Sequence, residues 1–307
     1  MATRDAYGKA LAKLGAKYNF FVLDADLSGA TKTAEFKKVF PDRFIDMGIA
    51  EANMVAVAAG MSTCGVPVFC SSFAGFATGR AYDQVRNAVA YPHCNVKVCA
   101  SHGGFMVGPD GATHQCLEDF ALMRAIPTMT VLNPCDTVST EAMVELMLGF
   151  DGPCYMRTSR FSVPEIYKEG EKFEIGKGKV LKDGTDVTIM AIGDMVVNAL
   201  DAAKLLEAEG VKARVVDMFS IKPIDAELIE KCAKETGAIV TAEDHNILGG
   251  LGGAVSEVVC ATIPCPVERI GSNDTFGKSG EPLELQKIFG LTAEDIAKAC
   301  KKAISRK

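Results

Sequence analysis

Residues 66–101 read VPVFCSSFAGFATGRAYDQVRNAVAYPHCNVKVCAS, and their pattern decides the fold. Two short apolar runs, 66–72 and 95–101, are rich in Val and Cys, which is typical of strands with both faces buried. The segment between them, 74–91, has the length and spacing of a helix. Two such strands joined by a helix are expected to pair in parallel. The sequence therefore predicts an α/β fold with a parallel sheet covered by helices.

The same alternation continues on both sides of this unit. In the first half we expect further strands at 19–27, 127–133 and 153–159, and further helices at 52–63, 115–125 and 136–149. In the second half we expect strands at 186–193, 213–218, 237–244 and 267–271, and helices at 195–209, at 225–235, from about 252 and in a tail ending near Ile304. Residues 163–184 are charged and glycine-rich, which suits a linker with a short hairpin. The sequence predicts two domains, 1–162 and 185–307, each with a mostly parallel sheet.

The composition excludes several classes of protein. Of the 307 residues 48% are hydrophobic, and a net charge of −6 with dispersed basic residues gives no footprint for nucleic acid. The 11 cysteines have no CxxC spacing, which favours reduced, buried thiols over a zinc or redox motif. No apolar run reaches membrane-spanning length, and the N-terminus lacks the apolar core of a signal peptide. We therefore expect a cytoplasmic protein that binds neither nucleic acid nor membrane.

Glu51 stands out in the stretch MGIAEANMVAVAAG, residues 47–60, because it is the one charged residue between Asp46 and Arg80. An unpaired charge in an apolar segment is costly, so a buried carboxylate there needs a dedicated partner. An acid at a helix N-terminus that faces water is the simpler interpretation, because the helix dipole favours it. The residues alone leave both interpretations open.

The stretch SHGGFMVGPDGATHQ, residues 101–115, carries two of the four histidines, His102 and His114, around a glycine-rich loop with Asp110. A loop rich in Gly and Pro is not a core element, so we expect its polar side chains to be presented to a ligand. The histidine spacing matches no standard pattern of metal ligands. We predict hydrogen bonds to a hydroxyl-rich ligand, and a surface loop with incidental histidines is the alternative.

Two further motifs each have a structural and a functional interpretation. Phe73 and Phe76 lie one helical turn apart, which is typical of core packing as well as of a platform for a planar cofactor. The sequence GGLGG, residues 249–253, follows a predicted strand and opens a helix but lacks the full GxGxxG frame of dinucleotide sites. It indicates a close-packed turn between a strand and a helix.

Polar residues follow the predicted strands at their carboxyl ends, the edge where α/β sheets bind ligands. Asp26 ends the sequence DAD after the first strand, and Arg157 and Arg160 follow a later one. Guanidinium groups there suit a phosphate or a carboxylate, although arginines at strand ends are also commonly only solvated. Arg4, near the N-terminus, is likewise either a binding residue for a phosphate or carboxylate or only a solvated side chain.

Eight segments of the chain form a pattern that is more specific than any single motif. Five lie in the first half, namely DADLSGATKT, FPDRFIDMGIAEANM, SSFAGFATGRAYDQVRNAVAYP, SHGGFMVGPDGATHQCLEDFALMRAIP and SRFSVP. Three lie in the second half, namely SIKPID, EDHNILGGLGGAVSE and NDTFGKSGEPLELQKIFGLTAEDI. The first five together resemble the pyrimidine-binding domain of transketolases. The other three resemble the C-terminal domain of the same family, so the resemblance covers essentially the whole chain in order.

One element of the family is missing from this sequence. Transketolases hold the diphosphate of thiamine diphosphate and its Mg²⁺ through a GDG…N motif in an N-terminal domain, and no such motif occurs here. The chain therefore resembles the C-terminal subunit of a split transketolase, and we assign it no metal ligand. The resemblance implies a separate N-terminal subunit that holds Mg²⁺, an assembly with two copies of each chain, and no activity for this chain alone. The second domain is expected to serve assembly.

The family's roles carry over residue by residue. Glu51 matches the glutamate that hydrogen-bonds the aminopyrimidine ring nitrogen of thiamine diphosphate and exchanges a proton with it. Phe73 and Phe76 match the aromatic residues against which the pyrimidine stacks, and Asp26 matches an acid near the cofactor at the subunit interface. Ala52, beside the glutamate, departs from the larger polar residue usual in the family.

The resemblance also implies a sugar phosphate site. It assigns sugar hydroxyls to His102, Asp110 and His114, with catalytic roles for both histidines, and the substrate phosphate to Arg4 and Arg160, with Arg157 as a companion. Ala30 stands where family members often carry Ser, which implies one phosphate contact fewer. These roles predict transfer of a two-carbon ketol unit from a ketose phosphate to an aldose phosphate, as in the pentose phosphate pathway.

Three other functions are weighed against this prediction. The β subunit of a 2-oxo acid dehydrogenase shares both domains, but a small oxo acid needs no contacts to a polyol and a phosphate. A 1-deoxyxylulose-5-phosphate synthase normally has all its domains in one chain, and the absence of the GDG…N motif from this chain therefore disfavours that function. A non-catalytic interaction protein would have no reason to keep Glu51, both histidines and both arginines.

Overall fold

The computed structural model describes all 307 residues, and its first sheet has seven strands. These strands are Phe21–Asp24 (β1), Phe44–Asp46 (β2), Val68–Phe73 (β3), Val96–Ser101 (β4), Thr130–Leu132 (β5), Cys154–Arg157 (β6) and Ser220–Lys222 (β10). Their order across the sheet is β10-β5-β6-β4-β3-β1-β2. All neighbours pair in parallel except β10 and β5, which are antiparallel. Every residue of β3, β4 and β6 is buried, as their apolar sequences predict.

The second sheet has five strands. They are Lys179–Lys182 (β7), Val187–Ala191 (β8), Ala213–Asp217 (β9), Ile239–Asn246 (β11) and Val267–Ser272 (β12). Their order is β12-β11-β8-β9-β7, and all neighbours are parallel except β7 and β9. The two sheets confirm the predicted α/β fold with mostly parallel strands.

Twelve α-helices cover the sheets. In the first half they are Thr3–Leu14 (α1), Ser28–Thr31 (α2), Ala34–Val39 (α3), Glu51–Ser62 (α4), Tyr82–Gln84 (α5), Asp119–Ala125 (α6) and Thr137–Gly149 (α7). In the second half they are Met195–Ala208 (α8), Ala226–Thr236 (α9), Leu251–Ala261 (α10), Pro282–Ile288 (α11) and Ala293–Ile304 (α12). None of them has both the length and the apolar character needed to cross a membrane.

The segment 74–91 differs from the continuous α-helix that the sequence predicts. It contains two π-helical stretches, Phe76–Arg80 and Val85–Ala90, on either side of the short helix α5. Ala81, between the first stretch and α5, leaves the helical conformation with φ −99° and ψ 13°. Such wide turns are concentrated at functional sites, because they shift side chains out of the ordinary helical register.

Two short strands also differ from the predicted organisation. The hairpin expected in 163–184 is wrong, because β7 is a single strand there and pairs with β9 of the second sheet. In addition, β10 follows β9 in sequence, yet it joins the first sheet as the neighbour of β5. A segment from the second half of the chain therefore completes the sheet of the first half.

The carboxyl ends of β1, β3, β4 and β6 meet at one edge of the first sheet. The start of α1 is fixed to the same edge, because the Arg4 backbone N–H donates to the Ser159 carbonyl at 3.2 Å and Ala2 forms an antiparallel bridge with Ser162. The Ser159 N–H in turn donates to Thr3 Oγ1 at 2.7 Å. This connection brings residues near the N-terminus next to residues that follow β6.

Candidate functional site

Glu51 is the first residue of α4, and 5% of it is exposed. Its carboxylate accepts one hydrogen bond, from Arg80 Nη1 at 3.0 Å, and no other. The residue thus begins a helix, as the simpler interpretation of the sequence proposes, but it does not face water. It also has the dedicated partner that a buried carboxylate requires, and that partner is Arg80.

Phe73 and Phe76 form an aromatic cluster with two histidines at the edge of the sheet. Their ring centroids lie 5.6 Å apart with the planes tilted by 30°. His102 stacks on Phe73 at 3.9 Å, and His114 meets Phe76 edge-on at 5.4 Å. Phe73 ends β3 and Phe76 begins the π-helical stretch that follows, whereas His102 and His114 come from the segment after β4. The structure therefore brings both predicted histidines and both predicted aromatic residues into one cluster.

The guanidinium of Arg80 joins this cluster to Glu51. It lies 3.9 Å from the centre of the Phe76 ring while it donates its hydrogen bond to the Glu51 carboxylate. Sequence reasoning missed this residue. A signal was available, because Arg80 is the charge that closes the otherwise uncharged stretch around Glu51.

His102 has an unusual backbone and a defined tautomer. Its φ of 60° lies in the left-handed region, which is strained for a residue with a side chain. Its Nε2 lies 3.3 Å from Arg4 Nη1, and because a guanidinium only donates, Nε2 accepts. Nδ1 therefore carries the proton and donates to Ser101 Oγ at 2.8 Å. Burial first, and then the charges of Arg4, Arg160 and His114, lower the pKa of His102 to about 3.

We expect the imidazole of His102 to stay neutral from pH 8 to 5, because burial and nearby positive charges lower its pKa to about 3. In a ¹H–¹⁵N spectrum of the imidazoles the signals of His102 should show the Nδ1–H tautomer and stay constant from pH 8 to 5. Because the folded-state pKa lies below the usual 6.5, the unfolded chain takes up this proton first as the pH falls. The stability that the neutral ring contributes is therefore lost between about pH 6.5 and 3. Titration of His102 near pH 6.5 would contradict this assignment.

Arg4 and Arg160 lie at the same edge and keep free donors. Arg160 Nη1 contacts Asp110 Oδ2 at 3.2 Å and the Val107 carbonyl at 3.4 Å. Arg4 Nη1 also donates to the Ala30 carbonyl at 3.1 Å, while its Nε is buried without a partner. Two guanidinium groups with unused N–H donors suit an anionic ligand, since they cannot donate these protons to each other.

Arg157 makes different contacts from those of Arg4 and Arg160. It is 5% exposed, pairs with Asp119 at 3.1 Å, donates to the Asp244 carbonyl at 3.0 Å and covers the Phe120 ring at 4.1 Å. These buried contacts use the guanidinium for packing between the two halves of the chain. The expectation that Arg157 is a companion in phosphate binding is therefore wrong.

Asp26 lies at the same edge but outside the cluster. It is exposed after β1, its φ is 60°, and its backbone N–H donates to Asp46 Oδ1 at 3.2 Å. Its carboxylate contacts none of the other predicted site residues, so its role near a cofactor stays a prediction. The structure contains no group of three or more His, Cys, Asp or Glu side chains arranged to hold a metal ion.

Two side chains hold the loop that carries the histidines, and one of them comes from the second half of the chain. Asp244, on β11, accepts hydrogen bonds from the backbone N–H groups of Phe105 at 2.8 Å and Met106 at 3.2 Å. Gly104 makes this possible, because a Cβ there would lie 2.0 Å from an Asp244 oxygen and its φ is 79°. The carboxamide of Gln115 donates from the other side to the Gly108 carbonyl at 3.1 Å. Sequence reasoning missed both supporting side chains.

The glycine-rich segment 249–253 is a close-packed turn, as its sequence predicts. Glu243 accepts hydrogen bonds from the N–H groups of Leu251 at 2.7 Å and Gly252 at 2.8 Å, at the start of α10. A Cβ on Gly250 would lie 2.0 Å from the Glu243 carboxylate. A carboxylate of the chain itself therefore uses the helix N-terminus that a dinucleotide would need.

Two family descriptions match the sequence of this chain. "Transketolase, pyrimidine binding domain" matches residues 1–165, and "Transketolase, C-terminal domain" matches residues 176–296. The chain belongs to the transketolase family.

Individual relatives resemble the chain over its whole length. A protein of Methanocaldococcus jannaschii, named provisionally as a transketolase C-terminal section, is 50% identical over 96% of this chain and 94% of its own length. Transketolase of Homo sapiens is 44% identical over all of this chain, which spans 49% of the human protein. A solved structure described as "Split gene transketolase, inactive beta4 tetramer" is 52% identical with a TM-score of 0.94, covering 100% of this chain and 99% of that one.

Proposed function

We propose that this chain is the C-terminal subunit of a split transketolase. It binds the pyrimidine end of thiamine diphosphate, and a separate subunit with a GDG…N motif holds the diphosphate and Mg²⁺. One observation carries the proposal. The buried carboxylate of Glu51 and the aromatic face of Phe76 both contact the same planar N–H donor, the guanidinium of Arg80. The solved relative described as an inactive tetramer of β chains supports the need for a second kind of subunit. The active assembly contains two copies of each chain.

The residues present fit an aminopyrimidine ring. The Arg80 guanidinium is a planar nitrogen group that stacks on Phe76 and hydrogen-bonds Glu51, and an aminopyrimidine has the same two requirements. When bound, thiamine diphosphate supplies the nucleophilic carbon that cleaves and forms the carbon–carbon bond of the ketol unit. Glu51 holds a proton at the ring nitrogen, and its burial keeps water from competing for that hydrogen bond. Phe76, supported by Phe73, fixes the plane of the ring.

The rest of the site suits a sugar phosphate. Arg4 and Arg160 supply the unused N–H donors for the phosphate, and Asp110 keeps Arg160 in place at 3.2 Å. His114 Nδ1 contacts Thr113 Oγ1 at 2.9 Å, which leaves its Nε2 without a partner beside the aromatic cluster. His102 is neutral, so it takes part in hydroxyl contacts without adding positive charge. This combination favours ketol transfer between sugar phosphates over decarboxylation of a small 2-oxo acid.

The test is reconstitution with an N-terminal subunit that carries GDG…N. The two chains are co-purified and assayed with thiamine diphosphate, Mg²⁺, xylulose 5-phosphate and ribose 5-phosphate. We expect ketol transfer by the pair and none by either chain alone. Transfer by this chain alone would contradict the split-subunit proposal. Turnover of a 2-oxo acid by the pair, without ketol transfer, would favour a dehydrogenase β subunit instead.

Replacing Arg160 with Met should raise the KM for ribose 5-phosphate at least about tenfold, because a charge-assisted hydrogen bond to the phosphate is lost. The KM for glycolaldehyde, an acceptor without a phosphate, should stay unchanged. Initial rates of the reconstituted pair measure both values. Arg306→Met is the matched control, because Arg306 pairs with Glu268 in the second half of the chain. An equal rise for both acceptors would contradict a phosphate contact.

A further inference from the structure

We infer that Arg80 is a placeholder, which occupies the place of the cofactor's pyrimidine ring in the free chain and leaves when the cofactor binds. The inference rests on the proposed function, because it concerns the same pyrimidine site. It adds a competitor for that site that belongs to the chain itself.

The first step concerns space. The Arg80 guanidinium contacts the Glu51 carboxylate at 3.0 Å and the Phe76 ring at 3.9 Å, so it fills the gap between these two groups. Optimal contact distances between stacked heavy atoms are about 3.5–4.0 Å, which leaves room for one planar layer. A ring that stacks on Phe76 and hydrogen-bonds Glu51 therefore needs the volume that Arg80 holds.

The second step concerns charge. The Glu51 side chain is 6% exposed and has Arg80 as its single hydrogen-bond partner. Without a partner, a buried carboxylate is strongly unfavourable. Arg80 satisfies this carboxylate before the cofactor arrives, and the pyrimidine satisfies it afterwards. The two ligands of Glu51 are therefore alternatives.

The third step concerns release. The Arg80 side chain is 53% exposed and makes no second hydrogen bond, so only its contacts with Glu51 and Phe76 hold it in place. It ends the π-helical stretch Phe76–Arg80, next to Ala81, where the backbone leaves the helix. Gly79 borders open space, because a Cβ there would meet no atom within 4 Å. The side chain can therefore turn into solvent without moving the core.

The first experiment measures thiamine diphosphate binding by calorimetry, with Mg²⁺ and the reconstituted pair of subunits. Arg80→Met removes the competitor, so we expect its Kd to fall about three- to tenfold, as an exposed ion pair and its cation–π contact predict. Arg80→Lys keeps the charge without the planar group and should lie between Met and wild type. Arg86→Met, an exposed arginine on the same segment, is the control and should match wild type.

The outcomes separate this inference from the proposed function. If the wild-type pair binds no thiamine diphosphate, the proposed function fails and the inference fails with it. If the wild-type pair binds and Arg80→Met binds equally or more weakly, the proposed function stands and the placeholder role of Arg80 is overturned. A purely structural role for Arg80 predicts weaker binding, which is the opposite direction.

The second experiment uses the free chain and a double-mutant cycle. Arg80→Met should lower its melting temperature, because Glu51 loses its partner, and adding Glu51→Gln should restore most of the loss. Strict additivity of the two substitutions would overturn the pairing on which the inference depends. This result does not depend on the activity of the assembled enzyme.

Discussion

Replacing Glu51 with Gln is expected to lower kcat for ketol transfer by the reconstituted pair about 10²- to 10⁴-fold, the usual contribution of a positioned acid–base group. The amide has the shape of the carboxyl group but cannot exchange a proton with the pyrimidine nitrogen. The measurement is the steady-state rate of transfer from xylulose 5-phosphate to ribose 5-phosphate at saturating thiamine diphosphate. Because the substituted site is buried and apolar, water does not replace the missing acid.

Two controls test whether the loss of rate in Glu51→Gln is specific to Glu51. Glu230→Gln removes an exposed carboxylate on α9, and we expect no change in rate. The Kd for thiamine diphosphate should change far less than kcat in Glu51→Gln, because the amide still accepts or donates one hydrogen bond. Full activity of Glu51→Gln would assign the chain to the non-catalytic class weighed from the sequence. A loss of activity seen only below saturating thiamine diphosphate would show that Glu51 contributes to cofactor binding alone.

Replacing Arg157 with Met is expected to lower the free energy of unfolding of the free chain by about 3–5 kcal/mol, the usual cost of breaking a buried ion pair. Its partner Asp119 is fully buried and would keep a single strong hydrogen bond, from Tyr155 at 2.6 Å. The Asp244 carbonyl would also lose its donor. Urea unfolding followed by circular dichroism measures the change.

The matched control for this prediction is Arg160→Met, three residues further along the chain. Its ion pair with Asp110 is partly exposed on both sides, so we expect a loss below about 1 kcal/mol. The double variant Arg157→Met/Asp119→Leu should recover part of the loss, because the Asp119 carboxylate is no longer left buried without its ion-pair partner. Equal losses for Arg157→Met and Arg160→Met would show that burial does not decide the contribution of these arginines. Recovery by the double variant also covers the case in which Arg157→Met fails to fold.

The architecture was largely predictable from the sequence, because the residue patterns of its strands and helices are local. Strands such as Val68–Phe73 and Val96–Ser101 are apolar on both faces, and this pattern needs a helix-covered parallel sheet. The strand Ser220–Lys222 was not predictable, because three residues carry no periodic signal and its pairing with Thr130–Leu132 is set by tertiary contacts. The wide turns at Phe76–Arg80 were missed because helical periodicity alone does not distinguish an α-helix from a π-helix.

The site was predictable where the residue types themselves carry chemistry. His102, His114 and Phe76 meet in one cluster, although ring contacts cannot be derived from their spacing in sequence. Arg157 shows the limit of such reasoning, because an arginine after a strand has the same sequence signal whether it binds a ligand or packs in the core. Asp244 shows it too, since its role depends on two backbone N–H groups far away in the chain.

The position of the strand Ser220–Lys222 determines when the first sheet can be completed during translation. The ribosome releases Thr130–Leu132 long before Ser220–Lys222, so the nascent first sheet has an open edge until the second half emerges. An uncovered edge strand is a template for association with other chains. A gene fragment that stops after residue 162 would make this temporary exposure permanent. The first sheet is therefore complete only when both halves of the chain are present, so a gene encoding the first half alone would not encode a complete sheet.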